Sequence, residues 1–262
     1  MACLAGMLAG DGYMVKCWSL EGMPDAGRPG EATEARRIVL GAPLIRNGSI
    51  NGTNLAPKEL FQRLRPDTPV YAGAVRSEEL ALAQAWGLRL TDYLADEALA
   101  VKNAAATAEG AVMLAMEHTR VTLRGAACLV LGFGRIGKLL ARTLAALGAK
   151  VTVGARKSGD LAWIETLGYA PLHTQRLAGR LGGFRAVFNT VPDMVLGEEL
   201  LRELPPDCTL IELASKAGVD AQAAGRLGLC IIGAPGLPGK TAPETAAQAI
   251  KETLCRLWEE EE

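Results

Sequence analysis

Three glycines at fixed spacing punctuate the string Gly132-Phe133-Gly134-Arg135-Ile136-Gly137. The apolar run Ala127-Cys128-Leu129-Val130-Leu131 precedes it, and a helical stretch over 138–147 follows. Strand, glycine turn and amphipathic helix, in that order, are the context a dinucleotide fingerprint requires. Gly132 is expected to permit a tight turn, Gly134 to let the backbone approach a pyrophosphate, and Gly137 to let the helix pack closely on the strand. The helix N-terminus then offers unpaired N–H groups and a partial positive charge to the phosphates. A bare GxGxxG arises in many loops; the flanking pattern favours a cofactor site over a structural turn.

The end of the next strand decides which dinucleotide is expected. Lys150-Val151-Thr152-Val153-Gly154-Ala155 reads as that strand, and Arg156-Lys157-Ser158 follows it. A site for NAD usually carries an acid here to accept from the ribose 2′-hydroxyl, but the first acid is Asp160. An arginine, a lysine and a hydroxyl suit a 2′-phosphate, and the planar guanidinium can also stack on adenine. The expected cofactor is therefore NADP. The alternative is a solvated basic turn.

The elements that must position these residues follow from the rest of the chain. Its 262 residues suffice for one large or two modest domains. An apolar fraction of 49% with 22% charged residues is that of an ordinary soluble globular protein. A net charge of −1 and the lack of a basic stripe argue against nucleic acid as partner. No apolar run approaches bilayer length and no signal peptide is evident. The six cysteines lack CxxC spacing and there are two histidines, so no metal site is expected, and a reduced, cytoplasmic compartment fits.

The fold expected is α/β: a Rossmann-type, doubly wound parallel sheet plus a smaller, flavodoxin-like N-terminal α/β domain, with a C-terminal helix returning to the latter. In the second half, strands are read over 169–172, 186–189, 208–213 and 229–233, with a helix over 160–167. In the first half, strands are read over 15–18, 38–40, 70–74 and 88–93, helices over 57–64 and 77–86, and a turn-rich loop over 25–30. The expected division is 1–103, then 104–240 with a linking helix over 107–118 capped by Thr107, then 241–262. Thr241-Ala242-Pro243-Glu244 reads as a capping box for the last helix, and Glu259 to Glu262 as a solvated tail.

Five blocks carry a resemblance. Asn103-Ala104-Ala105-Ala106-Thr107-Ala108-Glu109-Gly110-Ala111, Leu129 through Arg135, Val153-Gly154-Ala155-Arg156, Phe188-Asn189-Thr190-Val191-Pro192 and Pro235-Gly236-Leu237-Pro238-Gly239-Lys240-Thr241-Ala242-Pro243 follow one another in order from about residue 100. Together they resemble the dipicolinate synthase A-subunit family of spore-forming bacteria. The Thr-Ala-Glu-Gly and Pro-Gly-Leu-Pro-Gly-Lys blocks are the specific ones; the fingerprint is generic. Ala106 stands where that family usually has proline, Glu212 where it has aspartate, and Lys216-Ala217-Gly218-Val219-Asp220 replaces a Pro-Gly-Gly turn. Family members also begin with a strand and a Gly-Gly-Asp-x-Arg turn, whereas Met1 to Ala9 already reads as the helix that follows. A start placed too far downstream is the expectation.

The resemblance implies oxidation of a dihydrodipicolinate-type ring, or its hydrated precursor, to dipicolinate, with a hydride passed to NADP. It also implies a flavoprotein-like partner, the B-subunit of dipicolinate synthase, in a hetero-oligomer, and a place in the cytoplasm of the sporulating mother cell. Forming an aromatic ring needs little acid–base help, so positioning and charge complementarity to two carboxylates are expected to dominate. Lys240, set by the Pro235-to-Gly239 turn at the cleft between domains, is the expected carboxylate anchor. Lys216 is set aside because its loop departs from the family. Asn103, Thr107 and Glu109 are substrate candidates or a turn and helix cap; Ser215 is a candidate at another strand end. Asn189, Thr190, Val191 and Pro192 are expected at the nicotinamide ribose. His118 and His173 read as a helix-end and a loop histidine. Three rivals remain. A D-2-hydroxy-acid dehydrogenase would need a histidine where Ala234-Pro235-Gly236 has none, an S-adenosylhomocysteine-hydrolase-like enzyme would need more chain, and a non-catalytic NADP-sensing subunit needs only the cofactor site.

Overall fold

A computed structural model of the chain describes residues 1–18 and 34–261. The first elements are α1 (Ala2–Gly10), β1 (Ile38–Val39), β2 (Ile45–Arg46), β3 (Ser49–Ile50), α2 (Pro57–Phe61), β4 (Pro69–Ala72), α3 (Ser77–Ala85), β5 (Arg89–Asp92) and α4 (Glu97–His118). There follow β6 (Ala127–Leu131), α5 (Arg135–Ala146), β7 (Lys150–Ala155), α6 (Ser158–Thr166), β8 (Ala170–His173), β9 (Ala186–Asn189), α7 (Glu198–Leu201), β10 (Thr209–Glu212), α8 (Ala221–Arg226), β11 (Cys230–Gly233), α9 (Leu237–Thr241) and α10 (Pro243–Glu261). They form two compact units, Met1–Lys102 with Pro243–Glu262, and Asn103–Ala242.

The first unit holds a three-stranded parallel sheet in the order β1-β4-β5 and a β2–β3 hairpin. Helices α1 and α10 pack together in one of its cores, where Leu4, Leu8, Tyr71, Tyr93, Leu99, Leu254 and Trp258 are buried. Residues 15–18 form no strand. Only Cys17 makes a bridge, and one pair supplies too few ladder bonds to propagate. The strand expected over 70–74 stops at Ala72 because the chain turns: Ala74 adopts φ +52°, and Asp92 accepts from the N–H groups of Ala74 and Val75. The loop expected over 25–30 lies outside the described residues.

In the second unit six parallel strands run in the order β11-β10-β9-β6-β7-β8, a doubly wound topology. The central strands β6, β9 and β10 bury both faces, which is why their runs lack polar alternation, whereas the edge strands β8 and β11 are partly exposed. On β6, Cys128 and Val130 face the core that holds Val112, Leu140 and Ile164. Leu129 and Leu131 face the other, with Leu201 and Ala223. Burial pushes the Cys128 thiol up to about 11 and the Cys208 thiol up to about 12, so both behave as small hydrophobes.

Two helix starts differ from expectation. α4 begins at Glu97, not at Thr107, because Asp96 accepts from the Leu99 N–H at 2.8 Å and supplies the cap. The alanine-rich stretch then continues the helix, since alanine is its best former. Thr107 sits inside it, donating to the Asn103 carbonyl at 2.8 Å, so neither residue closes a turn or caps. Ala108, Ala111, Val112 and Ala115 make the buried stripe, while Met116 is exposed. At the other end Thr241 belongs to α9 and donates to the Leu237 carbonyl, so the expected capping box is not formed and α10 opens on Pro243. α10 also runs through the expected tail to Glu261, whose carboxylate accepts from the Tyr71 hydroxyl at 2.6 Å.

Candidate functional site

The site builds from the C-terminal edge of the six-stranded sheet, where ligands bind in open α/β folds. β6 ends at Leu131 and the chain turns at Gly132, whose φ of +101° a side chain rarely adopts. A Cβ on Gly132 would also lie 2.2 Å from Thr190 Oγ1. That hydroxyl donates to the Leu131 carbonyl at 2.8 Å, so Thr190 locks the turn from the end of β9. A Cβ on Gly137 would meet the Gly132 carbonyl oxygen at 2.1 Å. Gly134 differs: nothing lies within 4 Å of its Cβ position, and its φ of −81° is ordinary. Two glycines are thus required by the fold, and the third opens on space at the first turn of the 12-residue helix α5.

The other fingerprint residues divide by direction. Phe133 is buried in the core with the Lys138 ammonium 5.2 Å from its ring centroid, which leaves its backbone to face the turn. Ile136 is half-buried against the same core, and Arg135 is exposed. At the end of β7, Arg156, Lys157 and Ser158 are all exposed. Ser158 also lines a groove of about 410 Å³ with Leu161, His173, Arg176 and Arg180. Arg176 and Arg180 escaped the sequence reading; basic residues just past a strand read as loop were the only signal. His173 ends β8 and its Nδ1 lies 3.2 Å from the Gln175 N–H, which donates to it. His118 ends α4, its Nδ1 2.9 Å from the Leu114 carbonyl.

Asn189 is almost fully buried. Its Nδ2 donates to the Val191 carbonyl (3.0 Å) and to Glu212 Oε1 (2.8 Å), and its Oδ1 accepts from the Val191 N–H (3.1 Å). With both amide hydrogens engaged, the side chain shapes the Thr190-Val191-Pro192 turn. Glu212, at the end of β10, reads in the sequence as a departure from the family pattern, with no role assigned to it there. Its Oε1 also accepts from the Ala214 N–H (3.1 Å), and Oε2 accepts from Gly218 and Val219 (2.9 and 3.0 Å). An acid closing an apolar strand is the signal that marks it. Ser215 and Lys216 are exposed at the tip of the loop it gathers.

After β11 the chain turns at Gly236 (φ +68°) into α9, which carries exposed Lys240. The segment expected as a turn is therefore helical from Leu237. A Cβ on Gly110 would lie 3.0 Å from Thr241 Cγ2 and 3.2 Å from Leu237 Cδ2. The two most specific sequence blocks are thus in direct contact, with Gly110 allowing α4 and α9 to approach. Glu109 is exposed, whereas Thr107 is buried. Among the described residues no group of His, Cys, Asp and Glu is arranged to hold a metal, and no helix is long and apolar enough to cross a membrane.

No family model matches the chain. The dipicolinate synthase A-subunit of Bacillus subtilis (strain 168) is 42% identical over 163 residues, which is 62% of this chain and 55% of that protein. The matched stretch therefore spans little more than half of that curated relative. The crystal structure of the dipicolinate synthase A-subunit from Bacillus halodurans superposes with a TM-score of 0.83 at 33% identity, covering 91% of this chain and 86% of that one. That of the Bacillus subtilis A chain gives 0.79 at 31% identity, covering 94% and 82%. The chain belongs to the dipicolinate synthase A-subunit family.

Proposed function

We propose that this chain is an NADP-dependent oxidoreductase that forms dipicolinate from a dihydrodipicolinate-type ring or its hydrated precursor. The observation that carries the reading is the fingerprint turn, closed against side chains at Gly132 and Gly137 and open at Gly134. That is the shape a pyrophosphate needs at a helix N-terminus, and it occurs in a member of this family. NADP, when bound, would supply a two-electron acceptor for the hydride that the ring gives up; the accompanying proton, and one water where the hydrated precursor is used, would leave to solvent.

The chain's own residues hold and orient. The N–H groups at the start of α5, with Gly132, Phe133, Gly134, Arg135, Ile136 and Gly137, cradle the diphosphate. Arg156, Lys157 and Ser158 take the 2′-phosphate, which favours NADP over NAD. Thr190, Val191 and Pro192, fixed by Asn189, border the nicotinamide ribose. Lys240 anchors one substrate carboxylate, with Asn103, Thr107, Glu109 and Ser215 as further contacts. Thr107, whose hydroxyl hydrogen goes to the Asn103 carbonyl, can only accept, so its contact would be to a ring N–H or hydroxyl and not to a carboxylate.

The catalytic division runs over 104–240, the protein acts in the cytoplasm, and a second, flavoprotein-like subunit completes the oligomer. The subunit designation of its relatives supports a partner. A regulatory subunit that only senses NADP is the second reading, favoured by the scarcity of acid–base groups among the site residues. The deciding experiment is NADPH formation from dihydrodipicolinate by the purified chain, alone and with the second subunit. Absorbance at the reduced nicotinamide band in either mixture supports the enzyme; NADP binding without turnover in both supports the sensor.

A further inference from the structure

A ring dicarboxylate offers two anionic groups, and Lys240 answers one. This inference rests on the substrate reading above and deepens it. We infer that Lys216, held at the tip of the 213–219 loop by the Glu212 carboxylate, is the anchor for the second carboxylate.

The loop is fixed at its base and free at its tip. Glu212 holds both of its ends through the N–H groups of Ala214, Gly218 and Val219. The Gly218 carbonyl in turn accepts from Val195 and Leu196 at 2.8 and 3.0 Å, and Asp220 donates to the Leu196 carbonyl at 3.0 Å. Leu196 and Val219 form a parallel bridge there. Gly218 has no room for a side chain: a Cβ would lie 2.4 Å from Asn189 Nδ2 and 2.6 Å from the carbonyl oxygens of Val191 and Asp193. So one acid welds the loop after β10 to the loop after β9, which borders the fingerprint turn through Thr190. Gly218 and Val219 are buried, while Ser215, Lys216 and Ala217 stand exposed.

That arrangement has a consequence for charge. The four donors already satisfy the Glu212 carboxylate, and no acid pairs with Lys216 among the described residues. Because the base of the loop is already ordered, meeting an anion costs the ordering of the Lys216 side chain and not that of the loop backbone. Its position suits the task. β10 and β11 are parallel neighbours with Glu212 opposite Gly233, so the segments bearing Lys216 and Lys240 leave the same edge of one sheet. Lys216 thereby acts on substrate directly, and Glu212 acts through it as a positioning residue.

The test is calorimetric titration of the full chain, loaded with NADPH, using dipicolinate and the monocarboxylate pyridine-2-carboxylate as probes. Lys216→Ala is expected to weaken dipicolinate about ten- to a hundredfold, the worth of one hydrogen bond to a charged group. It should weaken the monocarboxylate less and leave the NADPH affinity within about twofold, and Lys216→Arg should restore most of the loss. Glu212→Gln turns an NH₂ toward backbone donors, and it should weaken dipicolinate in the same direction, with little added by Lys216→Ala in the double variant. Dipicolinate affinity within about twofold of the parent in Lys216→Ala overturns the inference and leaves the substrate reading standing. A parent protein that binds NADPH but neither probe overturns the substrate reading, and the inference falls with it.

Discussion

Adding a side chain at Gly134 and at Gly137 should produce opposite phenotypes from one motif. At Gly134 the Cβ position has no neighbour within 4 Å and the backbone is unstrained. Gly134→Val therefore costs only the loss of a favourable N-cap residue, about 0.5–1 kcal/mol. At Gly137 a Cβ would stand 2.1 Å from a backbone oxygen, so β6 and α5 must separate. Overpacking of that kind costs about 1–3 kcal/mol, or about 2–12 °C in melting temperature for a unit of this size. Thermal denaturation followed by circular dichroism should place Gly137→Ala well below the parent and Gly134→Val close to it. Titration with NADP should show the reverse of a stability ranking: the well-folded Gly134→Val binds no nucleotide, because its side chain fills the space left for the pyrophosphate. Undiminished NADP affinity in Gly134→Val would remove the fingerprint from the functional reading. An unshifted melting temperature in Gly137→Ala would show that the close approach of helix and strand is not a constraint.

Arg156→Ala should weaken NADP about ten- to a hundredfold and leave NAD nearly unchanged, since one charge-assisted contact is worth about 1.5–3 kcal/mol; equal losses for both nucleotides would reassign Arg156 to adenine stacking. Lys240→Ala should lower kcat/KM for the ring substrate by a factor of about thirty or more, because removing one partner of a desolvated charge pair costs about 2–5 kcal/mol. Steady-state assays with and without the second subunit check this, and turnover within a few fold of the parent would leave the carboxylate to other groups. Alkylation of the native protein at pH 8, read by mass spectrometry, should modify exposed Cys230 and spare Cys128 and Cys208. Burial raises both of those thiols to about 11 and about 12, so their reactive thiolates are scarce at that pH. Rapid labelling of either would mean that the sheet opens readily.

The six-stranded sheet and its fingerprint were legible in the chain because they are specified locally. Apolar runs of four to six residues bounded by turns have few alternatives to buried parallel strands, and the strand Ala186–Asn189 matches its sequence expectation to the residue. Gly132, Gly134 and Gly137 announced themselves by spacing, as did the basic turn after β7. Helix starts were less legible, because capping is a competition among several candidates. Thr107 has the right chemistry, but Asp96 wins upstream, and an alanine run then carries α4 past the threonine. The roles of single polar side chains were the least legible. Whether Asn189 faces a ligand or its own loop depends on Glu212, 23 residues away in sequence, and no local pattern encodes that meeting. Composition, periodicity and glycine spacing thus determined the fold class and the cofactor-type turn. Tertiary structure alone decided which acid gathers the 213–219 loop, that Thr190 closes on Gly132, and why Gly110 must face α9. The Thr190 and Gly110 contacts join segments far apart in sequence, and packing distance rather than residue type sets them.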